Sequence, residues 1–251
     1  MGIQYSDAAG PEGMRIYAIG DVHGRRDLLE IMHARIDGEL ARDRPADWRI
    51  IHLGDYVDRG PDSAGVVEMV SKRVREDSRV LALAGNHETK FLSFLASPEQ
   101  WRQFADFGGE ETAQSYGVDI DFTNAKGIRE GHAALVRAVP ESHLNFLVNL
   151  GYSASFGDFF FCHAGIKPGL PLEQQDSHDL TWIRGEFLNY PALHPKVIVH
   201  GHTPHDAPEV MANRVNLDTL AYWSGILTAL AIDGAEKRIF NVTGKISSGR
   251  R

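Results

Sequence analysis

Short apolar runs, each ending on glycine or histidine and followed by a polar loop, recur along the chain. Runs of this length without polar interruption are typical of strands that are buried on both faces. The four clearest runs are 16–20, 50–54, 80–85 and 197–200. Between the first three lie two amphipathic stretches, 27–40 and 63–75, whose apolar residues recur at helical spacing. This order of strands and helices predicts a mostly parallel sheet.

The pattern changes after the third run. Between about 98 and 150 the chain contains helical segments with many aromatic residues and no strong strand pattern, which predicts a helical insertion or cap. Strand patterns return at 152–162 and then at 225–233 and 237–242, where β-rich runs are joined by glycine-containing turns. We therefore expect a second sheet that packs on the first.

The chain of 251 residues is long enough for a sizeable core, and we expect one domain over 14–244. Residues 1–13 are polar and are predicted to form a disordered leader. Residues 245–251 have nothing apolar to anchor them beyond Ile246 and are predicted to fray.

Composition narrows the function classes. The formal net charge of −8 would repel a phosphate backbone, so nucleic acid is not an expected partner. The single cysteine, Cys162, cannot form an intramolecular disulfide, which fits a reducing compartment. No apolar run is long enough to cross a bilayer, so we expect a cytoplasmic protein that does not associate with membranes.

Candidate metal ligands follow the first two strands. Asp21 and His23 are two residues apart on extended backbone and so point to one side, which suits a carboxylate and an imidazole on one metal ion. Asp55 lies at the tip of the second strand, where a carboxylate can bridge two cations that would otherwise repel each other. Strand ends of a parallel sheet meet at one edge, so these side chains are expected to share a crevice.

The third strand and two later segments add further candidate ligands. Asn86 offers an amide oxygen after the third strand, and His163 and His202 follow later strands. His202 is preferred to His200 because it lies in the loop beyond Gly201 rather than in the strand. We expect both imidazoles to reach the same crevice.

A proton donor and two phosphate-binding arginines are predicted beside these ligands. His87 is assigned to proton transfer, because an imidazole that Asp58 orients can protonate a departing alkoxide. Arg59 and Arg184 can each be read as ordinary surface residues. Beside such a site, however, guanidinium groups are expected to clamp phosphate, and we expect Asn86 and His87 to contact it too.

Most of these candidates lie in five glycine-containing motifs. The motifs are Gly20-Asp21-Val22-His23-Gly24, Gly54-Asp55-Tyr56-Val57-Asp58-Arg59-Gly60, Gly85-Asn86-His87-Glu88, His163-Ala164-Gly165 and Gly201-His202-Thr203-Pro204. In this order they resemble the motifs of the phosphoprotein phosphatase family of metallophosphoesterases, most closely its compact bacterial and phage members. The likeness spans roughly 16–233, and interlocking motifs are far more specific than one short pattern.

The resemblance implies an α/β fold of the calcineurin-like metallophosphoesterase type, with two packed mixed β-sheets flanked by helices and a helical insertion. It also implies two divalent metal ions, with Mn²⁺ expected and Fe or Zn compatible with the same ligands. By resemblance, one ion is held by Asp21 and His23 and the other by Asn86, His163 and His202, with Asp55 between them. Asp58 and His87 become the acid pair, and the family's arginine pair falls on Arg59 and Arg184.

The resemblance further implies hydrolysis of phosphate monoesters by a metal-bridging hydroxide, with His87 as general acid. Asp58 favours a protein phosphatase, because the branch that splits diadenosine tetraphosphate symmetrically has alanine at this position. We therefore expect a phosphorylated protein or a small phosphomonoester as substrate, with the phosphate on serine or threonine, or alternatively on tyrosine. Leu220 departs from the pattern, since many relatives have glycine there.

Two other functions stay open. A nucleotide or diadenosine polyphosphate hydrolase would use Trp101, Phe104 and Phe107 to stack a base, although such aromatic residues more often belong to a core. A phosphate-binding scaffold without activity should have lost a ligand or the acid, and none is missing from this sequence.

Overall fold

The computed structural model describes residues 2–245, and in this part of the chain ten strands form two five-stranded sheets. The strands are β1 (Met14–Ile19), β2 (Asp47–His52), β3 (Val80–Ala82), β4 (Ser153–Phe156), β5 (Phe159–Cys162), β6 (Val197–His200), β7 (Glu209–Val210), β8 (Arg214–Asn216), β9 (Ile226–Asp233) and β10 (Glu236–Thr243). The first sheet has the order β10-β9-β1-β2-β3, and the second has the order β4-β5-β6-β8-β7. Residues 246–251 of the predicted tail lie outside the described part.

Each sheet has a parallel centre and antiparallel neighbours. β1, β2 and β3 are parallel, and the hairpin of β9 and β10 joins them antiparallel to β1. In the second sheet β5, β6 and β8 are parallel, while β4 and β7 pair antiparallel at the edges. The run at 152–162 is therefore two strands rather than one, because Gly157 turns the chain with a φ of 53°.

Ten helices of the described chain connect and cover these strands. They are α1 (Arg26–Asp43), α2 (Ser63–Glu76), α3 (Asn86–Ala96), α4 (Trp101–Asp106), α5 (Gly109–Ser115), α6 (Ala125–Ala138), α7 (Glu141–Val148), α8 (Ser177–Trp182), α9 (Gly185–Leu188) and α10 (Ala221–Ser224). Segments α4 to α7 occupy the stretch that the sequence pattern marks as helical. Among the described residues, no helix combines the length and the apolar character that crossing a membrane requires.

Three apolar clusters hold the layers together. Side chains such as Ile51, Phe161 and Val199 fill the space between the two sheets. Leu28 and Phe91 belong to a second cluster, in which α1, α2, α3 and the inserted helices cover the outer face of the first sheet. The third cluster lies under α8 and α9 on the second sheet. Two mixed sheets flanked by helices confirm the predicted fold class.

Residues 2–13 differ from the predicted disordered leader. The backbone N–H groups of Ile3 and Tyr5 donate to carbonyl oxygens in loops of the second sheet, at 3.0 and 2.8 Å. Ala8 is fully buried and belongs to the cluster between the sheets. The segment is ordered by tertiary contacts and contains no helix or strand. Its sequence therefore has no periodic pattern from which this order could be predicted.

A buried pair of histidines joins α1 to β2 and makes stability depend on pH. Nε2 of His33 is 3.3 Å from Nε2 of His52. Burial lowers the pKa of His33 from 6.5 to about 3, and it lowers the pKa of His52 as well. The unfolded chain binds these protons near pH 6.5 and the folded chain does not. The free energy of unfolding is therefore highest above pH 6.5, and it falls as the pH drops from 6.5 toward about 3, the pKa of His33 in the folded chain.

At pH 5 the free energy of unfolding should be about 2 kcal/mol lower than at pH 7.5 on account of His33 alone. Urea unfolding at the two pH values measures the difference. The variant His33→Leu removes this titration, so its unfolding free energy should fall less between the two conditions. An equal fall in the wild type and the variant would contradict the assignment.

Candidate active site

All six candidate metal ligands come together at one side of the molecule, where the carboxyl ends of strands from both sheets meet. Each is at most 5 % exposed: Asp21, His23, Asp55, Asn86, His163 and His202. His200, in contrast, is the last residue of β6 and its ring contacts Phe187, with ring centres 5.1 Å apart. The structure thus brings His202 to the cluster and keeps His200 in the strand.

The backbone is strained at the same places. Seven non-glycine residues of the described chain have positive φ, and five of them are candidate site residues. These five are His23 (44°), Asp55 (53°), Asp58 (72°), Arg59 (68°) and His202 (65°). Left-handed backbone is uncommon for residues with a Cβ, costs roughly 1–3 kcal/mol each and concentrates at functional sites. The backbone at His23 is therefore left-handed rather than extended as expected, and the strained loops aim the side chains into one cluster.

Asp55 lies at the centre of the cluster. One of its carboxylate oxygens is 3.4 Å from Nε2 of His23, and the other is 3.3 Å from Nε2 of His163. Beyond His163, the amide oxygen of Asn86 is 2.9 Å from Nε2 of His163 and 2.8 Å from Nδ1 of His202. Asp55 therefore presents one oxygen to each half of the cluster, as a bridging carboxylate would.

Backbone carbonyl groups orient two of the rings. Nδ1 of His23 is 2.8 Å from the carbonyl oxygen of Val57, and Nδ1 of His163 is 3.0 Å from that of Leu53. A carbonyl oxygen only accepts, so each Nδ1 carries a proton and each Nε2 faces Asp55. A metal-binding imidazole needs this orientation.

Asp21 approaches the cluster past Gly201. Its Oδ2 accepts a hydrogen bond from the backbone N–H of His202 at 2.9 Å, whereas its buried Oδ1 has no hydrogen-bond partner among the described residues. A Cβ on Gly201 would lie 1.9 Å from this Oδ1, so the close approach requires glycine. A buried carboxylate oxygen without a donor fits a metal-binding position.

The electrostatics of the cluster also favour bound cations. Burial and the neighbouring Asp218 raise the pKa of Asp21 well above its usual range, and burial and Asp55 raise that of Glu88 to about 7. Burial opposes a charged His163, but Asp55 outweighs it and raises the pKa of His163 to about 9. A divalent cation among these groups would offset the repulsion between carboxylates and displace the imidazole proton.

Two sets of ligand atoms that could each hold a metal ion share Asp55. One set is His23, Asp55 and His87, and the other is Asp55, His163 and His202. Within each set all ligand atoms lie within 4.8 Å of one another. The residues therefore fit two divalent cations on either side of one carboxylate.

His87 is also paired with Asp58. Nδ1 of His87 is 2.7 Å from Asp58 Oδ2, while its Nε2 is 3.9 Å from Asp55. The other oxygen of Asp58 accepts a hydrogen bond from the hydroxyl of Thr112 at 2.7 Å, and the Thr112 oxygen accepts from the Asp58 N–H at 2.8 Å. This buried carboxylate fixes the imidazole ring, as an oriented general acid requires.

Replacing Thr112 with valine should lower kcat about tenfold, because the buried Asp58 carboxylate loses a donor and the His87 ring loses its support. Thr112→Ser keeps the hydroxyl and should recover most of the activity. Metal content should stay the same in both variants, which separates a positioning effect from damage to the ligands. Full activity of Thr112→Val would show that α5 does not position the acid.

The two candidate arginines stand beside different halves of the cluster. Nη1 of Arg59 is 3.3 Å from Nε2 of His23, and Nε of Arg184 donates to Nε2 of His202 at 3.0 Å. Arg59 is half-buried, whereas Arg184 is exposed and lies between α8 and α9 rather than within a helix. Both guanidinium groups are placed where a phosphate on the cluster would need donors.

Leu220 has a left-handed backbone conformation, which favours glycine. Its φ is 57°, and its N–H donates to the buried carboxylate of Asp218 at 3.0 Å. Two residues later, Tyr222 places its ring centre 5.4 Å from that of His23 and 4.9 Å from the guanidinium carbon of Arg59. The turn thus carries an aromatic ring to the site.

Of the three aromatic residues suggested as a base platform, only Phe107 reaches the site. Its ring centre is 5.3 Å from that of His87. Phe104 is fully buried and stacks on Phe94, and Trp101 stacks on Phe122. The suggestion is therefore wrong for Phe104 and Trp101, because the first ring packs against α3 and the second packs within the insertion.

Sequence reasoning missed three buried polar residues. Glu88 accepts hydrogen bonds from backbone N–H groups in the loops that precede α3 and follow β2, including that of Asp55 at 2.9 Å. An acidic residue at the third position of a helix is a capping-box signal that could have revealed this role. Asp218 was visible only as one more carboxylate after a strand, and Thr112 had no signal, since the insertion contains no motif.

Comparison with known proteins identifies the family. The sequence profile described as calcineurin-like phosphoesterase matches residues 14–227. The chain belongs to this family. As a calcineurin-like phosphoesterase the protein is a hydrolase, and the family uses divalent metal ions, in agreement with the ligand sets at Asp55.

Relatives of this calcineurin-like phosphoesterase extend over most of the chain. The asymmetrical bis(5′-nucleosyl)-tetraphosphatase PrpE of Oceanobacillus iheyensis is 28% identical over 235 residues, which cover 86% of this chain and 88% of the relative. The protein of the same name from Bacillus mycoides is 27% identical over 237 residues, covering 86% and 90%. A solved structure described as a candidate diadenosine tetraphosphatase has a TM-score of 0.64 and 21% identity, covering 92% of this chain and 94% of that one.

The predicted protein phosphatase function is wrong. The relatives that match most of this calcineurin-like phosphoesterase are named as dinucleoside tetraphosphatases. The prediction depended on Asp58, where the resemblance implies alanine in the symmetrically cleaving branch of the family. A carboxylate that orients His87 assists the departure of any oxygen, however, so it does not separate a phosphoprotein from a nucleotide anhydride.

Proposed function

We propose that this protein hydrolyses dinucleoside polyphosphates asymmetrically. With a dinucleoside tetraphosphate, water would add to the phosphorus next to one nucleoside and the bond to the bridging oxygen would break. The products would be a nucleoside monophosphate and a nucleoside triphosphate. The observation that carries the proposal is the shared carboxylate of Asp55, on which His23 and His163 converge. The names of the relatives support the choice of substrate.

We propose that the cluster holds two divalent cations, with Asp21 rather than His87 completing the ligands around His23. Asp21, His23 and Asp55 would hold one, and Asp55, Asn86, His163 and His202 would hold the other. When bound, such cations supply Lewis acidity toward phosphate oxygens and make water a nucleophile at neutral pH. Mn²⁺ is the proposed ion, because it accepts carboxylate and amide oxygens as well as imidazole.

The remaining groups bind the phosphate and supply a proton. Arg59 and Arg184 would each offer a planar fork of N–H donors to phosphate oxygens from either half of the cluster. His87 would hold a proton on Nε2 toward the departing oxygen, since Asp58 binds its Nδ1 at 2.7 Å. The phosphate of a departing nucleotide is a weaker base than an alkoxide, so its departure needs this proton less. Asp58 and His87 can therefore also assist the cleavage of an anhydride.

The test compares diadenosine tetraphosphate with phosphoserine and phosphotyrosine peptides at a fixed concentration of Mn²⁺. We expect kcat/KM to be highest for the dinucleotide and every activity to disappear with EDTA. Preferential hydrolysis of a phosphopeptide would overturn the proposed substrate. Hydrolysis that persists after complete removal of metal would overturn the proposed chemistry.

A further inference from the structure

Two aromatic rings form an apolar wall beside the candidate active site. The ring centre of Phe107 is 5.3 Å from that of His87, and the ring centre of Trp182 is 6.0 Å from that of His202. The two aromatic rings are 5.8 Å apart and nearly perpendicular, with an angle of 80°. Both are half-buried rather than enclosed in the core. Neither metal binding nor proton transfer requires such a wall.

The side chain of Lys90 shows that a face of Trp182 can be reached from the surface. Its Nζ lies 4.9 Å from the centre of the Trp182 ring and donates a hydrogen bond to the side chain of Gln103. The exposed His178 stacks on the same ring, with ring centres 6.3 Å apart and planes at 23°. Lys90 is half-buried, and its side chain is long and flexible. An entering flat ring can displace it, and the released ammonium can pair with a phosphate.

We infer that Phe107 and Trp182 form the subsite for a nucleobase, specifically the base of the nucleotide whose phosphate is attacked. This inference rests on the proposed function. Aromatic side chains stack on any nucleobase, because every base has a π-face. Arg184 lies two residues after Trp182 and donates to His202, so a phosphate-binding cation stands next to the platform.

The position of the platform bears on where the substrate is cut. Trp182 and Arg184 both border His202, so a base on the wall and a phosphate that Arg184 holds would be neighbours, as they are in one nucleotide. The phosphorus of this nucleotide is then the one that water reaches, and the products are a monophosphate and a triphosphate. If the base were bound farther from the cluster, the next phosphorus of the substrate would lie at the cluster instead. Cleavage would then release two nucleoside diphosphates.

The test compares the binding of AMP with that of ribose phosphate, which has the same phosphate and sugar but no base. Isothermal titration of the Mn²⁺-loaded protein should show that AMP binds about tenfold more tightly, as expected for one stacked base. Trp182→Leu should reduce this ratio to nearly one. Trp182→Phe retains an aromatic ring and should preserve most of it.

Trp101→Leu is the matched control. It removes another half-buried tryptophan, one that packs on Phe122 within the insertion, and it should leave the preference for AMP unchanged. An equal loss of affinity for both ligands in Trp182→Leu would indicate damage to the cluster and would overturn the subsite. If Trp182→Leu bound both AMP and ribose phosphate as tightly as the wild type does, the subsite would be overturned as well.

This measurement does not depend on cleavage of the dinucleotide. If the wild type binds AMP through Trp182 but does not hydrolyse diadenosine tetraphosphate, the proposed function fails and the base subsite stands. If the wild type hydrolyses it, the products of Trp182→Leu give a second readout. A larger share of ADP would support the subsite, and a product ratio identical to that of the wild type would contradict its role in choosing the phosphorus.

Discussion

Replacing His87 with asparagine should lower kcat about a hundredfold for an alkyl phosphate and by a smaller factor for diadenosine tetraphosphate, with KM changed by less than about threefold. Asparagine fills similar space but cannot transfer a proton, and it leaves the buried Asp58 carboxylate without its imidazole partner. Steady-state kinetics measure the change. Metal content should be unaffected, because Nε2 of His87 is 3.9 Å from Asp55 and we assign this ring to the acid rather than to a ligand.

The same variant separates the two roles that the geometry allows for His87, which also belongs to one of the ligand sets. A general acid matters most when the departing oxygen is a strong base. His87→Asn should therefore reduce the hydrolysis of an alkyl phosphate more than that of nitrophenyl phosphate. An equal reduction for both esters, together with loss of a metal ion, would make His87 a ligand and contradict the acid role.

Replacing Asp55 with asparagine should abolish metal binding and activity together. The change removes the negative charge that the two halves of the cluster share, while nearly preserving the size of the side chain. In the wild type, Mn²⁺ at a hundred times its Kd should raise the free energy of unfolding by about 2.7 kcal/mol. Thermal unfolding with and without Mn²⁺ should show little of this stabilisation in Asp55→Asn.

Asp58→Asn is the control for this experiment, because it makes the same chemical change at another fully buried aspartate of the same loop. Asp58 faces His87 and Thr112 instead of the ligands. The control should keep the Mn²⁺-dependent rise in melting temperature and lose turnover. If Asp55→Asn kept a rise equal to that of the wild type, the bridging role would be excluded.

The part of the site that could be predicted from the sequence is the part formed by local chain geometry. Asp21, His23 and Asp55 follow buried parallel strands, whose ends must meet at one edge of the sheet. The choice of His163 and His202 depended more on the resemblance, because both follow strands of the second sheet. Their distance from Asp55 depends on how the two sheets pack, and no spacing along the chain encodes that packing.

Features that depend on tertiary contacts could not be predicted. Thr112 supports Asp58 across 54 positions of sequence, from an insertion that contains no motif. Trp101 and Trp182 look equivalent as isolated tryptophans, yet one packs on Phe122 and the other borders His202. The prediction of the substrate was wrong for the same reason. The groups that surround the phosphate site select the substrate, and the motifs that the family shares do not.

Hydrolysis of diadenosine tetraphosphate in water enriched with heavy oxygen tests the central claim most directly, because the label marks the phosphorus that water attacks. After incubation with Mn²⁺, mass spectrometry of the separated nucleotides should find the heavy oxygen in AMP and none in ATP. Label in ATP, formation of ADP as the main product, or the absence of metal-dependent products would contradict asymmetrical attack at the phosphorus next to the nucleoside.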